Sequence, residues 1–108
     1  MRIIENFILP PQGYIAITIG PFILTRNRKR ITPAVVRHES IHWEQEKELL
    51  VVGFYLLYLI EFVVRLIAVR NWKLAYRALS FEREAYAHQS ERTYIEYRRH
   101  YAMWKRTY

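Results

Sequence analysis

The chain has 108 residues, enough for one domain with one modest core, and its 52 % hydrophobic and 16 % aromatic content exclude a disordered segment. It contains no cysteine, which excludes disulfides and thiolate zinc sites, and its ten acids are all glutamate, so any metal must be held by histidine, glutamate, backbone or water. A formal net charge of +7 points to an anionic partner or to a solvated basic surface.

Residues 1–31 read as strands. Residues 3–9 are rich in β-formers and end at the turn signal Pro10-Pro11-Gln12-Gly13. Residues 14–19 alternate, with Ile15, Ile17 and Ile19 on one face. Gly20-Pro21 breaks that run, and residues 22–25 form a third short strand. The expected product is a small antiparallel sheet in an α+β domain. Residues 26–30 are a basic connector. No basic-then-apolar signal pattern opens the chain, so a cytoplasmic or peripheral-membrane location is expected.

Residues 32–52 are predicted to be the helix around which the rest is organised. Thr32 is an N-cap residue and Pro33 suits the first helical position. Val35, His38, Ile41, His42, Gln45, Leu49 and Val52 are expected on one inward face, with Arg37, Glu44 and Lys47 behind. His38-Glu39-Ser40-Ile41-His42 reads H-E-x-x-H. Residues four apart share a helix face, so the two imidazoles can aim at one Zn²⁺, each at about 2.0–2.1 Å. Glu39 lies round the same side, where a general base belongs.

Residues 54–69 form an apolar helix, separated from the first by a break near Gly53. Glu61 and Arg65 interrupt it, so a core helix or one lying on a membrane is expected rather than a span. Residues 71–78 are a short helical connector. Ser80 opens a glutamate helix that continues through 80–108, where Tyr94, Tyr97, Tyr101, Trp104 and Tyr108 recur every three or four residues. That regular stripe, with Arg92, Arg98, Arg99, Lys105 and Arg106 mostly elsewhere, favours packing over nucleic-acid stacking.

A catalytic zinc site needs a third protein ligand. A histidine six residues beyond His42 is excluded, because that position is Glu48 and Gln45 stands where a glycine turn is needed. A glutamate from a later helix remains. Glu82 ranks first, since Ala85 one turn on lets its helix approach closely. Glu61 ranks second and Glu84 third, with His88 and His100 behind.

The pair His38-Glu39-x-x-His42 and Glu82-Arg83-Glu84-Ala85-Tyr86 resembles the gluzincin metallopeptidases, in which a glutamate on a second helix completes the zinc site. Length and element order resemble the minigluzincins, and the H-E-x-I-H-x-x-Q and F-E-x-E-A-Y stretches resemble short peptidase-like proteins of Bacteroidetes and their phages. The resemblance covers most of residues 14–90, and only its first motif is specific. It implies a zinc peptidase with Glu39 as general base and His38, His42 and Glu82 as ligands. Many gluzincins carry an aspartate four residues after the ligand glutamate, where it orients a histidine. Here that position is Tyr86, and Gln45 is a candidate substitute. The other reading is a non-catalytic or latent zinc-braced scaffold that binds a protein, membrane or nucleic-acid partner through its basic aromatic C-terminal helix.

Overall fold

The structure, a computed structural model, describes residues 2–10 and 14–104. Three short strands open it: β1 (Arg2–Glu5), β2 (Ile17–Ile19) and β3 (Phe22–Thr25). β2 and β3 form a hairpin across Gly20, whose φ of +58° suits a residue without Cβ. β1 lies parallel to β3 on its other side, so the sheet is mixed, in the order β1-β3-β2, rather than wholly antiparallel. Asn6 ends β1 by accepting from the amides of Ile8 and Leu9.

Five α-helices follow: α1 (Pro33–Glu48), α2 (Val51–Val69), α3 (Trp72–Ala78), α4 (Ser80–His88) and the single turn α5 (Tyr94–Tyr97). The α+β class stands. Thr32 caps α1 by accepting from the Val35 amide at 3.2 Å, with Pro33 inside the first turn. The break before α2 falls at Leu50, with φ 57°, and not at Gly53, which sits inside α2. A Cβ at Gly53 would come no nearer than 4.0 Å to Leu49, so that helix does not require a glycine there. Turning at Leu50 carries Phe54 and Tyr58 beneath α1 and against Phe81.

The C-terminal part differs from a continuous helix. α4 stops at His88, the chain turns, and after α5 it ends its described course in a 3₁₀ turn, Ala102–Trp104. Fully buried Met103 joins Phe54 and Phe81 in the core. Arg98 donates to both oxygens of Glu84 and, at 2.9 Å, to Glu48. A straight helix would carry these groups away from their partners, so burial and ion pairing outweigh the aromatic periodicity. Tyr94, Tyr97, Tyr101 and Trp104 therefore share no single helix face. Lys105, Arg106 and Tyr108 lie outside the described residues.

The core has two centres. Ile41, Ala85 and Tyr94 join α1 to α4 and α5. Phe54, Phe81 and Met103 join α2 to α4 and the last turn. Ala85 is fully buried, and its small side chain allows the close approach of α1 and α4.

Candidate metal centre

α1 supplies His38 and His42 from successive turns, and α4 brings Glu82 from its first turn. All are at most 6 % exposed. Glu82 Oε1 stands 3.0 Å from His38 Nε2 and 3.1 Å from His42 Nε2, and the two nitrogens are 3.2 Å apart. Ligands at about 2.0–2.1 Å around a tetrahedral ion stand roughly 3.3 Å from one another. The three atoms thus have nearly the spacing a small cation imposes.

The outer nitrogens explain the proton arrangement. Gln45 Nε2 donates to the Phe81 carbonyl at 3.0 Å and to Glu84 Oε1 at 2.9 Å, so its carbonyl oxygen is the atom facing His42 Nδ1 at 2.8 Å. His42 Nδ1 therefore carries a hydrogen. His38 Nδ1 meets Gln89 Oε1 at 2.7 Å in the same sense. With Nδ1 protonated on each neutral ring, both Nε2 atoms present lone pairs toward a carboxylate oxygen. Three converging acceptors need a positive species between them, whether protons or a metal ion.

The electrostatics agree. Burial opposes a charged His42, but Glu82 beside it prevails and moves the imidazole up to about 10. Burial also works to raise the Glu82 carboxyl, and His42 and His38 outweigh it and hold that group well below the usual carboxylate range. The Tyr58 hydroxyl donates to the second oxygen of Glu82 at 2.7 Å. Tyr58 is itself raised by burial and then by Glu82, so it stays a donor.

Glu39 sits on the rim of this cluster. The Thr18 hydroxyl of β2 lies 2.9 Å from Glu39 Oε1 and 3.0 Å from its carbonyl oxygen. Oε2 is left 3.8 Å from His38 Nε2. Burial raises the Glu39 carboxyl, with the two imidazoles pulling the other way. Thr18 is buried, while Ile15 and Ile19 are more than a third exposed. Of residues 14–19 only Ile17–Ile19 is strand, and there Thr18 faces inward, onto Glu39.

Two cavities open on the cluster. One of about 440 Å³ touches His38, Glu39, Tyr76, Tyr86 and Gln89. The other, of about 510 Å³, touches Glu39, His42, Glu82, Phe54 and Tyr58. Tyr14, Ala16, Trp72 and Tyr76 line both. No described residue after Gln89 lines either one.

The remaining sequence candidates fall elsewhere. The Glu61 carboxylate accepts from the Ser80 amide at 2.5 Å and the Ser80 hydroxyl at 2.8 Å, which caps α4. Glu84 is fully buried and bound by Gln45, Tyr94 and Arg98. His88 stacks on Tyr94, and His100 is exposed beside Glu48. Tyr86 packs T-shaped against the His38 ring, 4.4 Å between centroids, and Arg77 lies over the Tyr86 ring. Thr18, Tyr58 and Gln89 are site neighbours that the sequence reading does not single out. Gln89 carried a spacing signal, two helical turns beyond Glu82.

The fold and site thus define a small α+β domain whose buried His38, Glu39 and His42 form a group able to hold a metal ion. Comparison with protein-family models, curated proteins and solved structures finds no match to this chain.

Proposed function

We propose that the chain is a zinc-dependent peptidase of the minimal gluzincin type. The observation that carries this reading is the convergence of His38 Nε2, His42 Nε2 and Glu82 Oε1 within 3.2 Å, with Glu39 Oε2 alongside. Two neutral imidazoles and one carboxylate, without thiolates, suit zinc and leave a position open for solvent. When bound, the ion would acidify a water molecule and polarise a substrate carbonyl.

The chain's own groups do the rest. Glu39, raised by burial toward neutrality, takes a proton from the attacking water and returns it to the leaving amine. Thr18 anchors Oε1 and leaves Oε2 for that transfer. Gln45 and Gln89 hold the imidazoles by their Nδ1 hydrogens. Tyr76 lines both cavities, and burial followed by Glu82 raises its hydroxyl, so it remains a hydrogen-bond donor for a developing oxyanion. β2 is the outer strand of the sheet, beside α1, and its Thr18 carbonyl accepts from the Tyr55 hydroxyl.

The test is hydrolysis of a mixed peptide library by zinc-loaded wild type and Glu39→Gln. Cleavage by wild type, reduced on the order of 10²–10⁴-fold in the variant with zinc retained, supports the mechanism. Equal rates contradict it. Zinc binding with no cleavage of any peptide favours a zinc-braced scaffold instead.

A further inference from the structure

α2 turns an unbroken aliphatic face away from the protein. At about 3.6 residues per turn, Val52, Leu56, Leu59, Ile60, Val63 and Ile67 fall in one stripe. Each is exposed, from 47 % at Val63 to 72 % at Val52. The opposite face is committed to the protein: Phe54 meets Phe81, Tyr58 donates to Glu82, and Glu61 accepts from Ser80. Polar groups therefore point inward and aliphatic ones outward, the reverse of a surface helix in water. Of the 19 residues of the helix only Phe54 is buried.

The charge around it is one-sided. Residues 62–81 contain Arg65, Arg70, Lys73 and Arg77 and no acid. Arg70 and Lys73 are exposed at the C-terminal end of α2, beside Trp72 at 58 % and Leu74 at 61 % exposure. An aliphatic stripe ending in tryptophan and a basic collar matches the layering of a bilayer interface, with acyl chains, headgroup boundary and anionic phosphates in order.

We infer that the outer face of α2, with Trp72 and Leu74, seats on an anionic lipid bilayer. The helix is long and apolar enough to cross a membrane, but its inner face is held by Tyr58 and Glu61, so it lies along the surface with one side in lipid. Arg70 and Lys73 meet the headgroups. This surface borders the candidate site, since Trp72 lines both cavities and Lys73 one of them, but it requires no catalysis.

Vesicle flotation tests it, with vesicles of phosphatidylcholine alone and of equal parts phosphatidylcholine and phosphatidylserine. Wild type is expected to float with the anionic vesicles and roughly tenfold less with the neutral ones. The triple variant Leu59→Gln, Val63→Gln, Ile67→Gln changes outward residues only, and its fold is checked by circular dichroism. Its partitioning is expected to fall on the order of a hundredfold. Arg70→Asn with Lys73→Gln is expected to lose the preference for anionic vesicles while keeping weak binding to both. Wild type that floats with neither vesicle overturns the inference, as does a triple variant that floats like wild type. A wild-type dimer that the triple variant makes monomeric also overturns it, because a second copy of the chain then covers this face.

Discussion

Gln45 decides which nitrogen of His42 carries the hydrogen. Its amide nitrogen is committed to the Phe81 carbonyl and to Glu84, so its oxygen must accept from His42 Nδ1 at 2.8 Å. The lone pair on Nε2 then faces the centre. Substituting leucine removes the acceptor and leaves the buried His42 Nδ1 hydrogen without it, while Glu84 Oε1 keeps its bond from Arg98. Gln45→Leu is expected to weaken metal affinity by about 10–100-fold and to destabilise the fold by at least about 1–3 kcal/mol. Competition with a chromophoric chelator and urea unfolding read the two effects. Unchanged affinity would mean that Gln45 does not orient the ring.

Thr18 ties the sheet to Glu39, the proposed general base. Its hydrogen bond favours the charged form of Glu39 and so lowers that group's pKa, against the larger upward effect of burial. Thr18→Val removes the bond, and the Glu39 pKa rises further. Because the base must be ionised, the acid limb of the activity–pH profile is expected to move to higher pH. A limb that stays in place or moves to lower pH would contradict the role given to Thr18.

Metal and proton compete at His42. Glu82 moves that imidazole up to about 10 despite burial, so the metal-free protein holds a proton there throughout the neutral range. A metal ion needs the lone pair that this proton occupies, and binding must release it. Apparent affinity is therefore expected to rise about tenfold per pH unit between roughly pH 7 and 9. Calorimetry in buffers of different ionisation enthalpy should show about one proton released per ion bound. Binding without proton release would place the metal away from His42.

Arg98 holds the C-terminal segment to the core through Glu84 and Glu48, and all three side chains are at most 7 % exposed. Arg98→Ala leaves fully buried Glu84 without its cation and takes one partner from Glu48, which keeps His100 and the Tyr101 amide. It is expected to cost about 3–5 kcal/mol in urea unfolding, a large share of the stability of a small domain. A loss below about 1 kcal/mol would show that the pair is solvated.

The HExxH spacing made His38, Glu39 and His42 legible in the sequence, because a metal pair on a helix needs a fixed offset of four. The cap at Thr32 and the close approach allowed by Ala85 were legible for the same kind of local reason. The inward turn of Thr18 was not, since the alternating isoleucines signal a buried face that the fold leaves partly open. Nor was the end of α4 at His88. Aromatic residues every three or four positions resemble a helix stripe, but the buried ion pairs of Arg98 are long-range contacts that periodicity does not carry. Glu61, the second-ranked ligand, instead binds the start of α4, a long-range contact that spacing does not carry.

The most direct measurement is metal content per chain, by mass spectrometry of the ions, on wild type, Glu82→Ala and Glu61→Ala after zinc reconstitution. Glu82 is 3.0 and 3.1 Å from the two histidine nitrogens, whereas Glu61 is bound to Ser80. The account predicts about one zinc in wild type and in Glu61→Ala, and loss of zinc in Glu82→Ala. Wild type without zinc, or Glu82→Ala retaining it as firmly as wild type, would contradict the account.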